Sequence, residues 1–314
     1  MAQTPRAPIR IVPQDQIAGG LQEPPAFRLA DANSVFGDRA ARFETLATRA
    51  AGGKGEPAFL GFMARLAHAQ ENCQKKHIVT KSPDEAHLER FRAHGLPPLG
   101  TDAPLDSAWR DTLKSITYSL LEDATPAVQS VLAQVDHMDA AVLDAQASCL
   151  LALDYPALDA AVAPFIGAAL QVHWVARASA LGAGAFRKLD VPTVCPVCGS
   201  PPVASVLRAG VPVPGTRYLH CVLCATDWRM PRGFCSQCEA QEKLAYYHIE
   251  TESDAVRGEA CDECKGYIKS FNQEKDPLAD PVADDLATLP LDILMDESGY
   301  QRASPNYFFV PGQG

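Results

Sequence analysis

The chain has 314 residues, of which 47% are hydrophobic and 21% are charged. This is an ordinary globular composition with enough length for about two domains. Its formal net charge of −10 argues against nucleic acid or an anionic membrane as the main partner. The N-terminus lacks the apolar core of a secretory signal, and the most apolar segment (residues 161–185) contains Gln171, His173 and Arg177. We therefore expect a cytoplasmic protein without membrane insertion.

Helical patterns dominate the chain up to about residue 188. The first helices are expected over residues 33–50 and 57–74, separated by the glycine-rich break at residues 52–55. A further helix is predicted after Ser82, which forms a capping box with Glu85. In this prediction Pro83 occupies the first helical position and Gly95 ends the helix.

Three more helices complete the predicted bundle. One has an apolar face of four residues at helical spacing: Trp109, Leu113, Ile116 and Leu120. The next begins at Thr125 as its cap, with Pro126 behind it. The last is expected to start at Pro156 and to run to about Leu181.

Helical periodicity ends in residues 181–194, and short β-rich pieces with Pro and Gly between them follow. The predicted fold class is α+β, with an N-terminal α-helical bundle followed by two tandem rubredoxin-like or zinc-ribbon modules of four cysteines each. The expected units are a helical domain (1–188), a first four-cysteine ribbon (189–232), a second four-cysteine ribbon (233–272) and an acidic C-terminal tail (273–314). Helical spacing of Val282, Leu286 and Leu289 predicts that the tail packs on the rest as a short helix.

Eight of the ten cysteines form four Cys-x-x-Cys pairs with a repeated spacing. Twenty-two residues separate the first pair from the second, and 22 separate the third from the fourth. All four cysteines of the first set map onto the second set by an offset of 40, which indicates a duplicated module. The predicted first metal site is Cys195, Cys198, Cys221 and Cys224, and the second is Cys235, Cys238, Cys261 and Cys264.

This spacing suits a tetrahedral metal site, because each Cys-x-x-Cys turn aims two sulfurs at one point. Gly199, directly after Cys198, can take the positive φ of such a knuckle. The metals are expected first of all to hold small modules together. A thioredoxin-like catalyst is disfavoured, since no βαβ context is present. Four thiolates suit zinc and rubredoxin-like iron, and spacing alone favours zinc. Cys73 and Cys149 are assigned no role.

The C-terminal half resembles the formate dehydrogenase accessory (formation) proteins of the FdhE type. The stretches that carry the resemblance are CPVCGSPPVAS (195–205), RYLHCVLCATDW (217–228), CSQC (235–238), CDECKGYIK (261–269), VADDLATLPLD (282–292) and SGY (298–300). Weaker matches are IRIVPQD (9–15), AHAQ (67–70) and APFIGAAL (163–170). The resemblance thus spans nearly the whole chain, with all eight family cysteines present.

The resemblance implies a cytoplasmic maturation factor rather than an enzyme. Its partner would be the catalytic subunit of a respiratory formate dehydrogenase, bound before that subunit is exported. The resemblance also implies rubredoxin-like iron at both sites, with zinc as the alternative, and an iron site could in addition pass one electron.

Two other functions are less compatible with the sequence. Paired Cys-x-x-Cys motifs are common in nucleic-acid-binding ribbons, but residues 233–272 carry eight acids against four bases, so no basic face is expected. An enzyme is disfavoured because the histidines are scattered, and no catalytic residue is assigned; for His220 we expect a surface or capping role. A client-binding face could be formed by five ribbon side chains, unless they pack beneath the knuckles: Tyr218, His220, Trp228, Tyr246 and Tyr247.

Overall fold

The computed structural model describes residues 23–52, 56–76, 83–102 and 104–310. The helices of its first half are α1 (Val35–Ala50), α2 (Pro57–Lys75), α3 (Glu85–Ala93), α4 (Ala108–Leu120), α5 (Pro126–His137), α6 (Ala140–Ala152) and α7 (Ala163–Leu181). The strands of the second half follow them, so the expected α+β class is confirmed. Within the described residues, no helix combines the length and apolarity needed to cross a bilayer.

Two helices of the bundle, α3 and α5, begin at a residue whose side chain caps the helix. The Thr125 hydroxyl accepts a hydrogen bond from the Val128 N–H at 3.4 Å, as expected for the cap of α5. In α3 the cap is Asp84, whose carboxylate accepts from the His87 N–H at 2.7 Å. The helix therefore begins two residues after the predicted position at Pro83, and Ser82 of the proposed capping box lies outside the described residues.

The predicted continuous helix over residues 156–181 is wrong. Only a short 3-10 turn (Tyr155–Ala157) precedes α7, which begins at Ala163. Gln146 hydrogen-bonds the backbone of the connection between this turn and α7. It lies on α6, a helix that the sequence patterns did not predict. Its side chain donates to the Ala157 carbonyl at 3.1 Å and accepts from the Asp159 N–H at 2.7 Å. A side chain thus supplies the hydrogen bonds that a longer helix would have made within its own backbone.

The core runs without interruption from the bundle into the first ribbon. The predicted apolar face of α4 is buried, with each of its four residues at most 4% exposed. Helix α7 is buried around nearly its whole circumference, because it packs against α4 and α6 and also contacts the first four-cysteine ribbon. The first ribbon is therefore part of the bundle's core rather than an appended module.

One sheet joins the two ribbons. Its strands are β1 (Phe27–Arg28), β2 (Pro202–Leu207), β3 (Arg217–Cys221), β4 (Asp227–Arg229), β5 (Leu244–Tyr247), β6 (Val256–Cys261), β7 (Gly266–Asn272) and β8 (Gln301–Arg302). Their order is β1-β4-β3-β2-β7-β6-β5, with β8 pairing β7. The antiparallel unit β2-β3-β4 recurs as β5-β6-β7, and the parallel pairing of β2 with β7 connects the two copies.

The acidic tail forms two helices, α8 (Ala283–Ala287) and α9 (Leu289–Glu297), where one was expected. It docks on both the bundle and the ribbons through ion pairs. Arg42 of α1 binds Asp284 at 2.5 Å and Asp276 at 2.7 Å. On the other side, Lys269 of β7 binds Asp292 at 2.6 Å. The acidic residues are thus held by buried cations instead of forming a purely solvated surface.

Candidate metal centres

All four Cys-x-x-Cys turns share one backbone feature. The residue directly after the second cysteine has a positive φ in each turn: 76° at Gly199, 53° at Ala225, 59° at Glu239 and 58° at Lys265. The expectation for Gly199 is confirmed, and its conformation recurs at three residues that are not glycine. Such a φ costs an L-residue roughly 1–2 kcal/mol, so the surrounding structure must impose it.

The eight cysteines form the two clusters that their spacing predicts. In each cluster the four sulfurs all lie within 4.8 Å of one another. In the first, Sγ of Cys198 lies 3.4 Å from Cys221 and 3.6 Å from Cys224, and Cys195 lies 3.5 Å from Cys224. Four sulfurs bound tetrahedrally to one ion at about 2.3 Å would lie ~3.8 Å apart, so the arrangement fits such an ion.

The second cluster has the same arrangement with slightly longer separations. The Cys235 and Cys264 sulfurs are 3.7 Å apart, as are those of Cys238 and Cys261. The Gln237 N–H donates to the Cys235 sulfur at 3.4 Å. An all-sulfur donor set suits zinc and rubredoxin-like iron equally well.

Burial distinguishes the two clusters. Every cysteine of the first is at most 1% exposed. In the second, Cys235 and Cys261 are buried, whereas Cys238 and Cys264 are exposed. The first cluster lies inside the continuous core and the second lies at the surface of the described part of the chain.

Two contacts from the bundle clamp the first cluster. The Leu99 N–H donates to the carbonyl of Val197 at 2.9 Å, within the first knuckle. Gln171 of α7 donates to the carbonyl of Val222 at 2.8 Å, within the second knuckle. Helix α7 also holds the Leu99 loop, because the Trp174 indole N–H donates to the Leu99 carbonyl at 2.9 Å.

Burial disfavours ionisation at two thiols of the first cluster. Burial is the main cause that raises the pKa of Cys195 and Cys221 well above the usual thiol range. A metal ion would offset this cost, because cysteines bind metals as thiolates.

A buried ion pair links the two ribbons, and it was missed at the sequence level. Arg217 of β3 binds Glu259 of β6 at 2.5 Å, and both side chains are less than 5% exposed. Ser205 donates to Glu259 at 3.0 Å and accepts from the Arg217 Nε at 2.9 Å. Arg217 corresponds to Arg257 in the duplication, but the Arg257 side chain is 43% exposed. The recurrence of an arginine at the repeat offset of 40 was the sequence signal that could have pointed to this ion pair. It does not indicate which of the two arginines is buried.

The proposed client-binding face is mostly wrong. Tyr218, His220 and Trp228 are at most 4% exposed, while Tyr246 is 50% exposed. The Trp228 indole N–H donates to the Pro192 carbonyl at 2.7 Å, so this ring packs inside the sheet region.

His220 has no surface or capping role either. Its Nδ1 lies 2.7 Å from a carboxylate oxygen of Asp227, which also binds Arg208 at 2.7 Å. Aromatic and imidazole groups of the first ribbon serve its packing instead of a surface.

The protein is therefore of the class in which an α-helical domain is fused, through a shared core, to duplicated four-cysteine ribbons. Models of the FdhE family match three consecutive parts of the chain: FdhE, N-terminal, over residues 24–190; the central domain over residues 194–232; and the C-terminal domain over residues 234–309. The chain belongs to the FdhE family.

Individual relatives are similar to this chain over nearly its whole length. The chain is 36% identical over 312 residues to the "Protein FdhE homolog" of Cronobacter sakazakii, covering 98% of this chain and 99% of that protein. It is 35% identical over 312 residues to "Protein FdhE" of Escherichia coli K12, with the same coverage. The crystal structure of the FdhE protein from Pseudomonas aeruginosa superposes with a TM-score of 0.84 at 34% identity, over 92% of this chain and 100% of that one.

Proposed function

We propose that this protein is a cytoplasmic maturation factor for a respiratory formate dehydrogenase and that it binds the catalytic subunit before export. The observation that carries the proposal is family membership across the whole chain, with similarity to proteins named FdhE over 98% of its length. In this function the chain acts as a binding protein and not as an enzyme. Its folded state presents a client with a rigid body, because the bundle, the first ribbon and the tail share one core.

We further propose that each four-cysteine cluster holds one metal ion. Sulfur–sulfur contacts of 3.4–3.7 Å within each cluster, with all four sulfurs within 4.8 Å of one another, support this, as does the positive φ that recurs after the second cysteine of each knuckle. The resemblance to rubredoxin-like sites favours iron, and the sulfur-only donor set also accepts zinc. When bound, the ion would offset the cost of burying thiolate charge in the first cluster.

Metal analysis tests the second proposal. Purified protein should contain about two equivalents of metal, one for each cluster. Cys198→Ser should remove about one equivalent and Cys238→Ser about one other, because the clusters share no ligand. Cys149→Ser alters a thiol outside both clusters and should leave the content unchanged. Loss of both equivalents from either cluster variant would contradict the pairing.

A pull-down tests the first proposal. The tagged, metal-loaded protein should recover the catalytic subunit of formate dehydrogenase from cells in which that subunit is expressed with its export signal. The Cys149→Ser variant should recover it equally well. Recovery of nucleic acid in its place, with an affinity that falls steeply as salt is raised, would favour a nucleic-acid-binding ribbon and refute the maturation role.

A further inference from the structure

The two four-cysteine clusters have the same ligands and the same spacing but opposite surroundings. The residues between the cysteines of the first cluster are apolar, Pro196-Val197 and Val222-Leu223, and all four are buried. The corresponding residues of the second are Ser236-Gln237 and Asp262-Glu263, of which only Ser236 is buried. Duplication therefore preserved the sulfurs while the turns diverged, one copy facing the core and the other facing solvent.

The hydrogen bonds and ion pairs around the first cluster are buried, whereas those around the second are exposed. The first cluster's knuckles are held by the buried backbone bonds from Leu99 and from Gln171. In the second cluster, the Gln237 amide donates to the Ala303 carbonyl at 3.3 Å in an exposed contact, and Lys265 binds Asp262 at the surface. Exposed bonds of this kind open readily, because water competes for both partners.

We propose that the second cluster is an exchangeable metal site, from which the ion can be taken by an external ligand, and that the first cluster holds its ion permanently as part of the fold. This inference rests on the proposed metal binding. The external ligand is of the soft-donor class: a thiolate of another protein or a sulfur- or nitrogen-donating chelator.

The accessibility of the cysteines sets the difference in the rate of metal release between the two clusters. At the second cluster, an incoming donor can replace Cys264 or Cys238 directly, and each displaced thiolate takes up a proton from the surrounding water. The cysteines of the first cluster are at most 1% exposed, so a donor can reach their sulfurs only after the knuckles separate from the core. That opening requires disruption of the packing between α7 and the first ribbon, which lies within the continuous buried core.

Metal release from the full-length, zinc-loaded protein to the chromogenic chelator 4-(2-pyridylazo)resorcinol tests the inference. Release should have two phases of about one equivalent each, with the fast phase roughly a hundredfold or more faster than the slow one. Cys264→Ser should abolish the fast phase and keep the slow one. The matched variant Cys224→Ser, one repeat away, should keep the fast phase if it folds.

Thiol labelling of the unaltered protein gives an independent measurement that needs no variant. A short pulse of iodoacetamide followed by peptide mass spectrometry should modify Cys238 and Cys264 well before any cysteine of the first cluster. Two equivalents that leave at one rate, or labelling of the first cluster first, would overturn the inference alone. A protein that binds no metal would instead overturn the proposed metal binding, so the two failures are distinguishable.

Discussion

The buried pair of Arg217 and Glu259 should be the strongest single link between the two ribbons. Arg217 connects four groups at once: the Glu259 carboxylate, the Ser205 hydroxyl and the carbonyls of Pro231 and Phe234 at 3.1 and 3.0 Å. The two carbonyls lie in the connection between the ribbons. Replacing Arg217 with Met keeps the volume but leaves the Glu259 charge buried without its partner.

The cost of that substitution follows from burial. The Arg217 and Glu259 side chains are 2% and 4% exposed, so solvent cannot replace the lost partner. Removing one member of a buried ion pair costs about 3–5 kcal/mol. The duplication supplies a matched control in Arg257→Met, because Arg257 is 43% exposed and lies 3.6 Å from Asp254, which is itself exposed. An exposed pair of this kind contributes little to stability, because solvent screens both charges.

Urea denaturation of the full-length, metal-loaded chain measures both variants. Arg217→Met should shift the unfolding midpoint far below that of Arg257→Met, when followed by circular dichroism and by tryptophan fluorescence. The double variant Arg217→Met/Glu259→Gln should recover part of the loss, because it removes the unpaired charge. Equal midpoints for the two arginine variants would refute the reasoning that burial decides the strength of this contact.

Three further predictions concern the bundle, the tail and the knuckles. Burial lowers the pKa of His173 to about 4 against about 6.5 when unfolded. Unfolding therefore takes up a proton between these values, and stability should fall by about 1 kcal/mol from pH 7 to 5.5 in urea denaturation. Arg42→Met should lower the free energy of unfolding by about 3–5 kcal/mol, release the tail and speed amide hydrogen exchange in residues 276–287. Arg49→Met should have neither effect, because the Arg49 side chain is 60% exposed. Gly199→Ala should lower the melting temperature because φ is 76°, and Glu239→Gly at 59° should raise it.

Each of these has a result that would count against it. A pH slope of the same size in His173→Gln would assign that slope to other groups. Unchanged exchange in the tail of Arg42→Met would mean that apolar packing alone holds it. A Gly199→Ala variant as stable as the unaltered chain would mean that the knuckle relaxes its φ at little cost.

Local patterns determined much of this protein from sequence alone. The pairing of eight cysteines into two clusters followed from a spacing of 22 residues repeated at an offset of 40. The buried face of α4 followed from helical periodicity. The cap at Thr125 followed from the Thr-Pro pair, and the structure shows its local hydrogen bond. These features depend on residues close together in the chain or on a repeat that the chain displays directly.

Only the tertiary structure decided how those parts meet. Nothing in the spacing indicated that β2 pairs with β7, that Arg217 is buried while Arg257 is exposed, or that Arg42 reaches the tail more than two hundred positions away. The burial of one cysteine cluster and the exposure of the other also depend on which ribbon packs on α7. Such contacts join distant segments, and their energy depends on packing and desolvation that no local pattern contains.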